Sequence, residues 1–163
     1  MRHVLSNFFV IFIINLYTAS EQKKKLTIPM KNRKIFVIED NRTEGLLLKL
    51  SLNSFENITI HSFSKGNDLI ENLTMDPDIV LVDLMLPDIS GFELIRIIKE
   101  YNPDIRIIVV SAQKDIEMIA KVQAEGIYNY LVKSEGAIKY LKNVIEDLLI
   151  IMDYKEEQKE KPQ

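Results

Sequence analysis

A chain of 163 residues suits one domain with flanking sequence, and 47% hydrophobic residues supply a packed core. Lys and Arg number 21 against 24 Asp and Glu, so there is no dense basic face for nucleic acid. With no cysteine, disulfides and thiolate metal sites are excluded, and the two histidines, His3 and His61, share no spacing with other ligands.

Residues 1–29 differ from the rest. An apolar run, Val4 to Tyr17, follows the start Met1-Arg2-His3 and is interrupted by Ser6, Asn7 and Asn15. A spanning helix takes about 20 predominantly apolar residues, so this run is short for one. Thr18-Ala19-Ser20 supplies small residues for signal cleavage, whereas Lys23-Lys24-Lys25 favours retention on the cytoplasmic side. Three readings stay open: an over-extended start with the native chain opening at Met30, an anchor or interfacial segment giving membrane contact, and secretion. The last conflicts with the chemistry argued below, which belongs in the cytoplasm.

From Met30 the pattern alternates strand and helix five times. Lys34 to Ile38 is an apolar β-type run, ended by Glu39-Asp40-Asn41, which suit a loop and a helix cap. Thr43 to Asn53 reads as a helix, with Leu46, Leu47 and Leu50 at helical spacing. Asn57 to Phe63 is a second strand, Asn67 to Leu73 a short helix opened by Gly66, and Asp76-Pro77-Asp78 a turn. Ile79 to Leu84 is a third strand, apolar apart from Asp83. Ser90 to Tyr101 is a helix with Phe92, Leu94, Ile95 and Ile98 apolar, stopped by Pro103-Asp104. Ile105 to Val110 is a fourth strand, Asp115 to Ala124 a helix closed by Gly126, and Ile127 to Val132 a fifth strand. Glu135 to Met152 is the last helix, with Ile138, Leu141, Val144, Ile145, Leu148 and Leu149 as its core stripe. Tyr140 and Ile151 are left on its outside as a candidate partner or dimer face. The domain thus runs over residues 30–152, and the charged tail, 153–163, reads as disordered.

Continuously apolar strands alternating with helices imply a parallel sheet covered on both faces. Right-handed crossovers and this length favour an α/β, flavodoxin-like doubly wound sheet of strand order 2-1-3-4-5. Sites in such sheets lie beyond the carboxyl ends of the strands, between strands 1 and 3. The polar residues fall there: Glu39 and Asp40 after strand 1, Asp83 at the end of strand 3, Ser111 after strand 4 and Lys133 after strand 5. Carboxylates gather only with a counter-charge. Oxygen ligands with retained waters suit Mg²⁺, and Lys133 adds a compact positive charge. Three carboxylates, a lysine and a hydroxyl suggest phosphoryl chemistry with an Asp nucleophile.

At this point the sequence resembles the receiver domains of two-component response regulators over residues 31–150. The resemblance is carried by Ile35-Phe36-Val37-Ile38-Glu39-Asp40-Asn41, by Ile79 to Gly91, by Val109-Val110-Ser111-Ala112 and by Tyr130-Leu131-Val132-Lys133. It implies Asp83 as phospho-acceptor, and Mg²⁺ held by Glu39, Asp40, Asp83 and the backbone carbonyl of Met85. Ser111 and Lys133 would contact the phosphoryl group, and Tyr130 would be the switch aromatic. The family usually has Pro, joined by a cis bond, directly after the lysine; here it is Ser134, which puts the placement of Lys133 in question.

The resemblance further implies a cytoplasmic phosphoprotein in signal transduction, a phosphorelay switch rather than an enzyme, with slow autodephosphorylation at most. Its partners would be a sensor histidine kinase or phosphotransfer protein and a downstream protein target, met through the helix 4–strand 5–helix 5 face, with homodimerisation open and no nucleic acid. The short tail suggests a stand-alone, single-domain regulator. The alternative is a phosphorylation-independent pseudo-receiver acting as a protein-binding module. A haloacid-dehalogenase-type enzyme is disfavoured because Met85 stands where its second Asp would be.

Overall fold

Five short apolar runs, rich in Ile and Val, pair into one parallel sheet in a computed structural model that describes residues 31–160. The readings of residues 1–29, the start at Met30 and the last three residues of the tail lie outside the described residues. The strands are β1 (Arg33–Ile38), β2 (Ile58–Phe63), β3 (Ile79–Val82), β4 (Arg106–Ser111) and β5 (Asn129–Val132). The helices are α1 (Arg42–Leu52), α2 (Gly66–Glu71), α3 (Gly91–Tyr101), α4 (Ile116–Ala124) and α5 (Ala137–Glu160), with a 3₁₀ turn at Leu73–Met75. The order is β2-β1-β3-β4-β5, the flavodoxin-like topology expected from the alternating pattern.

Side chains alternate between the two faces of each strand, and each face is covered. Ile35, Val37, Leu81, Ile108, Val110 and Leu131 pack with Leu48 and Leu52 of α1 and with Leu141, Ile145 and Leu148 of α5. Phe36, Ile38, Val80, Val82, Ile107 and Val109 pack on the other side with Leu69 of α2, Leu94, Ile95 and Ile98 of α3, and Val122 of α4. Asn41, Ser90 and Asp115 cap α1, α3 and α4, each accepting a backbone N–H through its side-chain oxygen.

The helix expected over Thr43 to Asn53 forms, with Leu46, Leu47 and Leu50 more than half exposed and Leu48 and Leu52 buried. Two expectations are corrected. On α5, Ile150 rather than Ile151 is exposed, as are Tyr140 and Tyr154. The tail from residue 153 is helical as far as Glu160. Its charge suggested disorder, but Arg33 at the start of β1 supplies the counter-charge. The Arg33 guanidinium is 2% exposed and donates to Asp153 at 2.6 Å, Glu156 at 2.8 Å and Asp78 at 3.2 Å.

Candidate functional site

Because neighbouring strands run parallel, their carboxyl ends share one rim. Glu39 follows β1, Asp83 follows β3, Ser111 ends β4 and Lys133 follows β5. Backbone bonds extend the sheet into these positions: Asp83 N–H donates to Ile38 C=O at 3.1 Å, and Lys133 N–H to Ser111 C=O at 2.9 Å. The ends of four apolar strands thereby carry polar side chains to one place without interrupting the core.

Lys133 is the centre of the cluster. Its Nζ donates to Asp83 Oδ2 at 2.6 Å, to Glu39 Oε2 at 2.7 Å and to Glu44 Oε2 at 2.5 Å. Asp83 Oδ1 accepts from the fully buried Ser111 hydroxyl at 2.8 Å and from Met85 N–H at 3.1 Å. Both oxygens of the Asp83 carboxylate are thus engaged, which fixes its plane. Burial alone would lower the Lys133 pKa, but its bonds to Asp83, Glu39 and Glu44 outweigh that and hold the ammonium above its ordinary range. At Glu39 the balance is reversed: burial pushes the carboxyl up, and the pull of Lys133 does not restore it.

A chain of hydrogen bonds leads from Asp83 to Tyr130. Ser111 Oγ accepts from Gln113 N–H at 3.4 Å, and the Tyr130 phenol donates to the Gln113 carbonyl at 2.9 Å. Burial, then the Asp83 charge, raise the Tyr130 phenol pKa, keeping it a donor. The peptide bond between Lys133 and Ser134 is trans, like every other among the described residues. Lys133 reaches Asp83 with Ser134 in the place of the expected proline.

The remaining residues expected at the site are distributed less tightly. Asp40 is exposed and lies outside the Lys133 cluster; it lines a shallow cleft with Met85, Leu86, Pro87, Asp88 and Ser90. Met85 belongs to the loop between β3 and α3, with its side chain in solvent. Asp88 anchors that loop by accepting from Gly66 and Asn67 N–H at 3.0 and 2.9 Å, and the Asn67 bond foremost holds its carboxyl below the ordinary range. Glu44 was not expected at the site. With Glu39 and Asp83 it offers one oxygen each within 4.8 Å of one another. Glu44 is engaged by Lys133, while Glu39 and Asp83, with Asp40 beyond the end of β1, offer the carboxylate oxygens that suit a hard divalent cation such as Mg²⁺.

A doubly wound parallel sheet of order β2-β1-β3-β4-β5, with an acidic, lysine-bearing rim at its switch point, defines a flavodoxin-like α/β protein. The family described as the response regulator receiver domain matches residues 35–146, and the chain belongs to that family. Among curated relatives, the transcriptional regulatory protein CssR of Bacillus subtilis (strain 168) is 40% identical over 101 residues, 61% of this chain and 44% of the relative. The chain spans less than half the length of the first curated relatives it matches. Among solved structures, the receiver domain of a putative LuxO repressor from Vibrio parahaemolyticus superposes with TM-score 0.70 at 21% identity, over 80% of this chain and 99% of the other. The BeF3-activated receiver domain of DrrB superposes with TM-score 0.61 at 27% identity, over 70% and 97%.

Proposed function

We propose that Asp83 accepts a phosphoryl group from a sensor histidine kinase or phosphotransfer protein in a Mg²⁺-dependent reaction, and that the modified domain changes its binding to a downstream protein. The observation that carries this reading is the Asp83 carboxylate, held by Ser111, Met85 N–H and Lys133 at the end of β3. One carboxylate oxygen attacks phosphorus, the O–P bond forms as the donor N–P bond breaks, and the electron pair leaves with the imidazole nitrogen. Glu39, Asp83, Asp40 and the Met85 carbonyl would hold the cation. When bound, Mg²⁺ supplies charge neutralisation for the phosphoryl oxygens.

The chain's own residues do the rest. The Ser111 hydroxyl re-aims from the carboxylate to the new phosphoryl oxygens, and the Lys133 ammonium pairs with them. Moving a two-state equilibrium from 1:99 to 99:1 takes about 5.5 kcal/mol, and hydrogen bonds to a charged group contribute ~1.5–3 kcal/mol each. The bonds from Ser111 through Gln113 to Tyr130 give that change a route to the surface of β5. The DrrB receiver, described as BeF3-activated, supports the reading by likeness.

The test is intact mass after incubation with Mg²⁺ and acetyl phosphate. The chain should gain one phosphoryl mass, and Asp83→Asn or a chelator should abolish it. Equal binding of the target by Asp83→Asn and by the acetyl-phosphate-treated chain would instead favour a phosphorylation-independent binding module.

A further inference from the structure

Asn41-Arg42-Thr43-Glu44 has the spacing of a capping box, in which an acidic side chain at the third helical position turns back to the N-cap backbone N–H. Half of that motif forms. Asn41 Oδ1 accepts from Thr43 and Glu44 N–H at 3.0 and 3.2 Å. The other half is diverted: Asn41 N–H donates to Glu39 Oε1 at 3.2 Å, and the Glu44 carboxylate reaches Lys133.

The consequence is a full complement at the lysine. An ammonium has three N–H donors, and Glu39, Glu44 and Asp83 occupy them. A phosphoryl oxygen arriving at Asp83 is paired by Lys133 only when one of these carboxylates lets go. Glu39 is held in place by burial, its side chain 2% exposed, and by the Asn41 N–H on its other oxygen. Asp83 is the acceptor itself. The Glu44 side chain is 43% exposed and turns into water at little cost.

We propose that Glu44 is a built-in competitor for Lys133. It holds the ammonium while Asp83 is unmodified and yields it to the phosphoryl group, so it sets how readily Asp83 is charged. Glu44 is a positioning residue: it acts through Lys133 and does not touch the transferred group. The proposal rests on the reading of Asp83 as phospho-acceptor.

Two variants of the full chain test it. Glu44→Gln keeps the side-chain length and a residue suited to the third helical position while removing the charge. Glu44→Asp keeps the charge but falls one methylene short, and Lys133, tethered by Glu39 and Asp83, does not follow. With Mg²⁺ and acetyl phosphate, both variants should gain phosphoryl mass about two- to fivefold faster than wild type, as expected for loss of one partly exposed charged contact. A merely structural loss would slow charging rather than speed it. Wild-type rates in both variants, or acceleration in Glu44→Gln alone, which would signify diffuse repulsion, would overturn the competitor while leaving Asp83 as acceptor. No mass gain by wild type or by either variant would overturn both readings together.

Discussion

Burial sets the balance at Glu39. The side chain is 2% exposed and shares its ammonium with two other carboxylates, so its pKa rises from the ordinary 4.5 despite the pull of Lys133. A carboxyl whose folded pKa lies above its unfolded value contributes stability that is present below the unfolded value and lost as pH rises through the folded one. At neutral pH the ionised Glu39 therefore costs stability. Glu39→Gln keeps an acceptor for Lys133 and removes that cost. Its thermal midpoint at pH 7 should rise, by about 0.5–2 kcal/mol in stability, with the gain shrinking towards pH 4. The heat of Mg²⁺ binding in calorimetry should fall in the same variant. A lower midpoint at pH 7 would show that the pairing, and not the desolvation, dominates at this residue. Glu39, Asp83, Ser111 and Lys133 were legible in the sequence because each is a polar residue ending an apolar strand. Glu44 was not: its spacing from Asn41 is that of a capping box, and only the fold reveals that Glu39, in place of Glu44, accepts the Asn41 N–H.

At the scale of the element, two helices illustrate what a pattern can and cannot specify. Five leucines crowd the seven positions from Leu46 to Leu52, so several faces of α1 looked apolar in the sequence. Gly45 marks the buried one. It shares a face with Leu48 and Leu52, three and seven residues on, and a β-carbon at Gly45 would lie 3.6 Å from the Glu39 side chain. The last helix failed in the other direction: its charged end looked solvated because the partner, Arg33, is more than a hundred residues away. Helix α3 is tied to the site still more closely. A β-carbon at Gly91 would sit 2.4 Å from Leu84 Cα and 2.6 Å from the Asp83 carbonyl, and backbone atoms cannot rotate aside. Gly91→Ala should therefore destabilise the fold by about 1–3 kcal/mol. Because the strain falls on the peptide carrying Asp83, it should also slow charging by acetyl phosphate. A urea midpoint near wild type with unaltered charging would mean that α3 shifts freely, contrary to its close approach.

Across the whole molecule the two ends of the sheet are specialised. The carboxyl rim gathers like charges around Lys133, and the amino rim gathers Asp78, Asp153 and Glu156 around Arg33. The β1 strand between them, six residues long, separates the rims by about 17–20 Å. Sites further apart than about 7–10 Å with no shared partner behave independently. Arg33→Met removes the counter-charge of the buried Asp153, a loss of about 3–5 kcal/mol. Against the 5–15 kcal/mol typical of a domain, the chain should stay folded. Amide exchange should accelerate first in residues 150–160, and the initial rate of Asp83 charging should be unchanged. Adding Asp153→Met should recover much of the stability, because an apolar pair carries no desolvation penalty. The Arg33 cluster also has a pH signature. The bond from Arg33 holds the Glu156 carboxyl below 4.5, so its contribution is present above that value and lost as pH falls through the lower folded one. Acidification below pH 4.5 should loosen the end of α5 in wild type and leave Arg33→Met comparatively indifferent. Slowed charging in a folded Arg33→Met protein, or exchange that rises evenly along the chain, would mean that the two rims are coupled through the sheet.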